Sequence, residues 1–529
     1  MDELRSRAEM TATSPVTGAG LGTVRRTPPG AVPAVVEAVR GVQPLWWSLR
    51  VRDRARYMQR AAQAVIDEAP QLAALLALEQ GRPAAEVELM ELLPAVETLQ
   101  WLAESGPGIL AGEKVRVSRA LRPLTRARWT YEPLGVVAVL GPATEPLSTP
   151  LGDVAVALMA GNGVVLKPSP HAALAGERIA RIFARAGLPE GLLRVVHGGS
   201  DVGRALVEAP VDQVRFTGSL AAGRDVLAAC AHGLKRSVLE LGGKDAMLVL
   251  ADADVERAAA GAVWGAFANA GQSGGNVERA FVLAEVHDAF LARVVASARA
   301  LRVGDPREPG VAVGPLVDPA RVERVDALVA EAVAGGATLH CGGRVEVPGL
   351  TGGFFAPAVL SGVTGDMRIA HEEVPGPVLT VGRVEREEDA IAAANASALG
   401  LGASVWTRDR FKGRRIAREL RVGMVWLNDH QVTRSSPQLP WGGVKGSGFG
   451  RARGAVALRT AAEPKVVTWD PSRGRPFWWF PYDGELVRAA RALGELRSVR
   501  DADRERALRH GALPVARVGA RTVAALRRR

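Results

Sequence analysis

Apolar residues recur at three- and four-residue steps from Val32 to about Ser105, through AVVEAVRGV, RDRARYMQRAAQAVIDEA, LAALLALEQ and AEVELMELLPAVETLQWLAE. That spacing predicts a succession of amphipathic helices. Residues 113–133 (EKVRVSRALRPLTRARWTYEP) alternate instead, and predict a hairpin that turns near Pro123. Beyond it, short apolar runs without alternation (GVVAVLG, GVVLKP, LLRVVHG, QVRFTG) are separated by helical stretches such as HAALAGERIARIFARAG and DVGRALVEA. Strands that are apolar on both faces and joined by helices predict a parallel sheet covered on both sides. A second such set begins near Ala246 with AMLVL, RAFVLAE, TLHCG, VLTVG, ASVWT and GMVWLN. The pattern is α/β, twice over, and residues 1–25, small and polar, are expected to be loose.

A chain of 529 residues is too long for one core and suits two or three packed domains. It contains no apolar run long enough to span a bilayer, and its start, MDELRSRAEM, lacks the apolar stretch of a secretory signal. A cytoplasmic protein is expected. Two cysteines, Cys230 and Cys341, make no disulfide framework, and no Cys/His cluster has metal-ligand spacing. The formal charge of +11 is partly local, because residues 470–529 hold fourteen Arg against seven carboxylates. A basic tail on a near-neutral body does not make a nucleic-acid surface, so no nucleic-acid partner is expected.

Five motifs follow one another in order: Phe216-Thr217-Gly218-Ser219, Glu240-Leu241-Gly242-Gly243-Lys244, Asn269-Ala270-Gly271-Gln272, Glu372-Glu373-Val374-Pro375-Gly376-Pro377, and Trp441-Gly442-Gly443-Val444-Lys445-Gly446-Ser447-Gly448-Phe449-Gly450-Arg451. With Glu79-Gln80-Gly81 and Gly161-Asn162 also in place, the chain resembles the aldehyde dehydrogenase superfamily over roughly residues 30–470. The resemblance implies an α/β fold with a Rossmann-like dinucleotide-binding domain, an α/β catalytic domain and a β oligomerisation arm. The expected boundaries are 1–25 for a flexible N-terminus, 26–112 and 134–241 for the NAD(P)-binding domain, and 242–454 for the catalytic domain. The arm takes 113–133 and 455–470, a basic aromatic tail takes 471–529, and a homodimer or tetramer is expected.

In that family a cysteine thiolate attacks the aldehyde, a backbone N–H and an asparagine amide hold the oxyanion, hydride passes to NAD(P)+, and a glutamate activates water to release the acid. Here Glu240 matches the glutamate. The nucleophile position of Gly271-Gln272-Ser273-Gly274 is Gly274, so the cysteine is absent, and Thr144 stands at the oxyanion position within Pro142-Ala143-Thr144-Glu145-Pro146. Glu145 sets a carboxylate beside a site meant for negative charge unless it points away. Cys230, in a helical run, and Cys341, at a strand end, read as inert small residues. Ser273 is one position early and has no evident base.

The resemblance also assigns cofactor residues. Lys167 matches the lysine that reaches the adenosine ribose, and the carboxylate expected three residues later is Pro170. Its loss removes a repulsion against a 2′-phosphate, so both NAD and NADP remain open as cofactor. Gly198 and Gly203 belong to the turn after a strand, with Ser200 in place of the middle glycine. Phe216, Thr217, Gly218, Ser219 and Gly223 continue toward the pyrophosphate, Leu241 and Gly242 follow the glutamate, and Glu373 matches the residue that grips the nicotinamide ribose.

The tail opens with the aromatic segment PSRGRPFWWFPY and continues as helical sequence, with Leu486, Ala490, Leu493 and Leu496 near one face and arginines on the others. Two readings stand: contact with an anionic membrane surface, and packing on a neighbouring subunit. For the whole protein three functions compete. The first is a pseudoenzyme that binds nucleotide or a partner. The second is an active aldehyde oxidoreductase by a cysteine-independent route through the hydrated aldehyde. The third is a membrane-surface interaction protein that works through its tail.

Overall fold

The computed structural model describes residues 9–117, 125–431, 436–471 and 478–527. Its chain divides into two compact units, the larger formed by Met1–Ala111 with Tyr131–Glu463.

Within this unit the first sheet has five parallel strands, β1 (Val136–Leu140), β2 (Gly163–Lys167), β3 (Leu193–Val195), β4 (Gln213–Thr217) and β5 (Arg236–Glu240). Their spatial order is β5-β4-β1-β2-β3, with Gly448–Phe449 antiparallel along the outside of β5. Every residue of β1 and β2 is buried, as their unbroken apolar runs require. The chain leaves β1 in one direction through β2 and β3, then returns to its other side as β4. The order therefore reverses between β1 and β4, and in open α/β sheets ligands settle beyond the strand ends at such a point.

The second sheet has seven strands, β6 (Asp245–Val249), β7 (Val277–Leu283), β8 (Thr338–Val345), β9 (Phe354–Ser361), β10 (Val378–Val384), β11 (Gly402–Trp406) and β12 (Met424–Leu427), in the order β8-β9-β10-β7-β6-β11-β12. Only β8 runs antiparallel to its neighbour. The six segments expected as strands here are strands, and the expected helices between Val32 and Ser105 form.

Two strands lie where hydrophobic pattern did not place them. β5 (RSVLE) runs into the glycine-rich motif and ends on its first residue, Glu240. β9 carries Pro357, which lacks the N–H a ladder needs and argues against a strand inside a sheet. The structure accommodates it by distorting the neighbour: the β8–β9 register slips on both sides of Cys341, which pairs with Val359, and the second slip, between Cys341 and Gly343, lies across from Pro357. Gly342 sits at that bulge with φ of +92°, where a Cβ would collide with the Pro357 carbonyl.

Residues 9–25, expected to be loose, instead form an antiparallel pair of strands, Glu9–Thr13 with Gly20–Arg25. Ser14 ties the turn to the body by donating to the Leu78 carbonyl at 2.9 Å.

The second unit comprises Gly112–Thr130 and Pro464–Arg529. It contains the expected antiparallel pairing of Glu113–Val115 with the strand Arg126–Pro133, extended on the other side by Ala462–Trp469. The turn expected near Pro123 lies outside the described residues. In the tail, the single long helix expected after Tyr482 is broken: helices run over Gly484–Glu495, Asp501–Arg506 and Ala512–Arg527. The packed seam is also different from the one the sequence suggested, because Ala489 and Ala492 are buried while Ala490 and Leu496 are exposed. A Cβ at Gly511 would collide with Ala492, so the helices meet at their smallest residues. Arg517 and Arg521 reach back to Glu485 and Asp483, the first pair at 2.6 Å. Among the described residues no helix is long and apolar enough to cross a membrane.

Because the tail helices satisfy their packing and ion pairs among themselves, deletion of residues 471–529 is expected to leave the rest of the chain folded. The thermal transition followed by far-ultraviolet circular dichroism should remain cooperative and shift by no more than a few degrees. A lost transition would make the tail part of the same cooperative unit.

Candidate functional site

Beyond the C-terminal ends of β1, β4 and β5 the larger unit encloses a cavity of about 420 Å³. It gathers Thr144 from the loop after β1, Thr217, Gly218 and Ser219 from the end of β4, and Glu240, Leu241 and Gly242 from the end of β5. Gly274, in the turn before β7, and Glu373, in the loop before β10, complete the wall. Nine of the fourteen residues singled out in the sequence thus share one cavity. Lys167, Gly198, Gly203, Phe216 and Gly223 lie outside it, though four of them support it or one another. Phe216 packs under Gly218, Gly223 leaves no room for a Cβ against Leu241, and Gly203 faces the Lys167 side chain.

Glu240 is the last residue of β5, 5 % exposed, and neither carboxyl oxygen has a hydrogen-bond partner. Burial pushes its pKa well above the ordinary carboxyl value, and the Asp153 carboxylate pushes the same way. Arg215, Arg451 and Arg453 oppose the shift without cancelling it. Arg215 is itself committed to Asp153, with Nε donating to Oδ1 at 2.7 Å. Burial thus makes Glu240 harder to ionise than an ordinary carboxyl and a stronger proton acceptor once ionised, in the wall of the cavity it lines.

The turn that carries Gly274 is held in an unusual backbone. Asn269 and Ala270 have φ of 56° and 51°, and Gly271 has φ of +69° with its α-carbon against the Gly376 carbonyl. Non-glycine residues in this region cost on the order of 1 kcal/mol each, so the surroundings must impose the conformation. Gly274 is different. Its φ is not in the left-handed region, and a Cβ added there would meet Leu401 Cδ2 at 3.5 Å and Leu241 O at 3.6 Å, which are ordinary contacts. Nothing in the backbone requires glycine at this position. Neither cysteine lines the cavity: Cys230 is buried in the helix Leu220–His232, and Cys341 lies in β8, with burial raising both thiol pKa values.

Opposite Gly274, the Glu145 side chain points into the cavity. The Thr144 hydroxyl donates to its Oε2 at 2.6 Å and the Ser273 hydroxyl donates to its Oε1 at 3.0 Å. A carboxylate thus takes the hydrogen bonds of the two hydroxyls closest to the site. The Arg321 guanidinium, in the same cavity wall, interacts with that carboxylate, so a carboxylate and a nearby cation stand where the resemblance implied an amide donor.

This loop is fastened by an ion pair that pattern analysis passed over. Arg82 and Glu91 are fully buried and 2.6 Å apart. Arg82 also donates to Asn269 Oδ1 at 3.0 Å and to the Thr144 carbonyl, while Glu91 Oε2 accepts the Leu147 and Ser148 N–H groups at 3.1 and 2.7 Å. Asn269 Nδ2 donates to the same Thr144 carbonyl at 3.0 Å. The clue to Asp153 and Arg215 was a charge set inside an otherwise apolar helix or strand run, which is rarely left there without a partner; Glu91, among other glutamates, gave no such signal.

Lys167, at the end of β2, is buried, and burial lowers its pKa to about 8. Its ammonium donates to the Pro168 carbonyl at 3.2 Å, which uses one of three N–H groups. The helix Ser200–Glu208 begins nearby after Gly199, but Asp201 occupies its first turn and pairs with Arg26 at 2.6 Å. An acidic side chain already complements that helix end, so the turn is a weak phosphate cradle. Ser219 caps the helix after β4 by accepting from Ala222 N at 3.3 Å. Glu373 rests directly on Gly242, where any Cβ would collide with its carboxyl, and burial raises its pKa to about 7. A ligand rich in hydroxyls and anionic oxygens, extending from Lys167 to Glu373, fits this set of groups.

Comparison with known proteins points the same way. The model of the aldehyde dehydrogenase family matches residues 3–467. A betaine aldehyde dehydrogenase of Cereibacter sphaeroides is 37% identical over 454 residues, 86% of this chain and 92% of that protein. PnpE from Pseudomonas sp. WBC-3, solved in complex with nicotinamide adenine dinucleotide, superposes with a TM-score of 0.84 at 32% identity, covering 87% of this chain and 94% of PnpE. A Mycobacterium tuberculosis aldehyde dehydrogenase complexed with NAD+ gives 0.82 at 35% identity, over 87% and 94% of the two chains.

The buried Glu240 carboxyl makes stability depend on pH. Its folded pKa lies above 4.5, so its contribution is complete below that value and is lost as pH rises toward the folded pKa. Glu240→Gln, isosteric and always neutral, escapes that loss. The melting temperature of E240Q minus that of the native protein should grow as pH is raised from about 4.5, measured by differential scanning calorimetry. A difference independent of pH would show that the carboxyl is not perturbed.

Proposed function

The chain belongs to the aldehyde dehydrogenase family, and on that premise we propose that it is a dinucleotide-binding member in which thiol-dependent aldehyde oxidation is absent or much weakened. One observation carries this reading. Gly274 presents bare backbone to the cavity that holds Glu240, and no cysteine lines that cavity. The scaffold is that of NAD(P)+-dependent conversion of aldehydes to carboxylic acids, and the residues that remain are those of its second half. Glu240 would take a proton from water once an acyl group had formed, but no side chain at 274 forms one.

NAD or NADP, when bound, supplies the two-electron oxidant. Lys167 would hold the adenosine ribose or a phosphate on it through its uncommitted N–H groups, and Glu373 would accept from the nicotinamide ribose. The relatives solved with NAD+ support NAD, and the absence of a carboxylate at Pro170 keeps NADP open. The name of the curated relatives makes betaine aldehyde the first aldehyde to test. Its quaternary ammonium suits a cavity that includes Trp101, Trp441 and Glu145. A homodimer or tetramer is supported by the Ala462–Trp469 strand, whose Val466 and Trp469 are 65% and 57% exposed.

Two measurements test the reading. The native protein should show negligible reduction of NAD+ or NADP+ with a panel of aldehydes, whereas Gly274→Cys should give a slow but measurable dehydrogenase. Thr144→Asn should raise the rate only when that cysteine is present, because an oxyanion donor has nothing to hold before attack; such donors are worth about 10²–10³-fold. Native turnover on the order of 1–10³ per second without added thiol would overturn the proposal. For the cofactor, Lys167→Ala should weaken dinucleotide binding in calorimetry by roughly 1–3 kcal/mol, as for a hydrogen bond to a charged group.

A further inference from the structure

Three features of the cavity remain unexplained by loss of function alone. Position 274 has lost its side chain but kept the room for one, with Leu401 as an apolar wall. The oxyanion position has changed from a donor to Thr144, which donates to Glu145 and not into the site. Glu145 itself adds a base where a base hinders the family's covalent chemistry. Each is a handicap if the aldehyde must be captured by the protein. All three suit a substrate that arrives already captured.

We infer that the cavity accepts the adduct of an aldehyde with a small free thiol, a hemithioacetal, whose sulfur takes the space beside Gly274 and whose hydroxyl is presented to Glu145. This inference rests on the preceding one, that the protein brings no nucleophile of its own. The adduct forms in solution: the thiol sulfur bonds to the aldehyde carbon, the carbonyl π bond breaks, and the thiol proton ends on oxygen as a hydroxyl. Such an adduct needs an acceptor for that hydroxyl proton and no oxyanion hole. Glu145, oriented by the Thr144 and Ser273 hydroxyls, is an acceptor in the required cavity. Oxidation then breaks the carbon–hydrogen bond, its electron pair and hydrogen passing to an oxidised nicotinamide dinucleotide. The hydroxyl proton passes to the Glu145 carboxylate, and the product is a thioester.

Sulfur suits the space beside Gly274. The atoms around a Cβ at 274 include the Leu401 methyl at 3.5 Å, and the Trp441 ring lies by Gly275. A polarizable thioether sulfur gains contact with such groups, while the one polar neighbour of that Cβ position, the Leu241 carbonyl at 3.6 Å, can only accept a hydrogen bond. A cavity of about 420 Å³ holds the adduct of a short aldehyde and a small thiol.

The test uses the native full-length chain with propanal and 2-mercaptoethanol. Without dinucleotide, the fluorescence of the cavity tryptophans Trp101 and Trp441 should respond saturably to the mixture, at aldehyde concentrations at least about tenfold below those needed for propanal alone. With NAD+ or NADP+, reduced dinucleotide should appear only when both components are present, in step with an equal amount of thioester. Glu145→Gln should keep the fluorescence response and lose thiol-dependent turnover by about 10²–10⁴-fold, the usual contribution of a proton acceptor. Gly274→Cys should oxidise propanal without thiol. If the mixture changes neither fluorescence nor dinucleotide while Gly274→Cys oxidises propanal, the adduct inference fails and the absence of native thiol chemistry stands. If the native protein oxidises propanal without thiol, both fall together.

Discussion

The buried ion pair of Arg82 and Glu91 joins three segments that share no continuous secondary structure. Through Glu91 it anchors the backbone at Leu147 and Ser148; through Arg82 it grips the Thr144 carbonyl and Asn269. The loop after β1 and the turn before β7 are therefore set relative to one another by a pair with no exposure to water. Two buried charges are costly unless fully satisfied, and removing one partner of such a pair typically costs about 3–5 kcal/mol. Here each charge is met by several further hydrogen bonds. The geometry of Thr144, Glu145, Ser273 and Gly274 follows from that arrangement.

Much of this molecule was legible in its sequence, and for identifiable reasons. Unalternated apolar runs such as GVVAVLG announced buried parallel strands, because a strand covered on both faces has no reason to alternate. Glycine-rich motifs announced the cavity, because Gly242 and Gly271 sit where a Cβ would strike Glu373 or the Gly376 backbone. What escaped was decided by tertiary context. β9 was obscured by Pro357, whose cost is absorbed by a bulge in the preceding strand, β8. The N-terminal hairpin was obscured by its composition, since residues 9–25 hold little apolar surface of their own. The tail seam fell on Ala489 and Ala492 instead of on the larger Leu486 and Leu496, because close helix approach around Gly511 favours the smallest side chains. The direction of the Glu145 side chain was open from sequence alone; only the two hydroxyls placed around it decide that.

The same contrast applies to the site. The sequence singled out Gly274, but not the backbone of the turn that carries it. Asn269 and Ala270 still occupy the left-handed region, at an energetic cost the surroundings must meet. Glu240 is held in the cavity wall with no side-chain or backbone hydrogen bond to its carboxyl, another costly arrangement. Neither feature improves stability. A protein relieved of all chemical demand at this cavity would gain by relaxing both.

The ordinary backbone at Gly274 has a practical meaning for anyone wishing to build on this fold. Since the backbone there is outside the left-handed region and a Cβ meets only ordinary contacts, the position behaves as a socket that can carry a small side chain without rebuilding the turn. A thiol, a selenol or a reactive unnatural side chain would each enter the same enclosure, beside the same buried carboxyl. The protein thus offers a scaffold in which the identity of a nucleophile can be varied while its surroundings are held constant, a comparison that an intact relative does not permit without first dismantling its own chemistry.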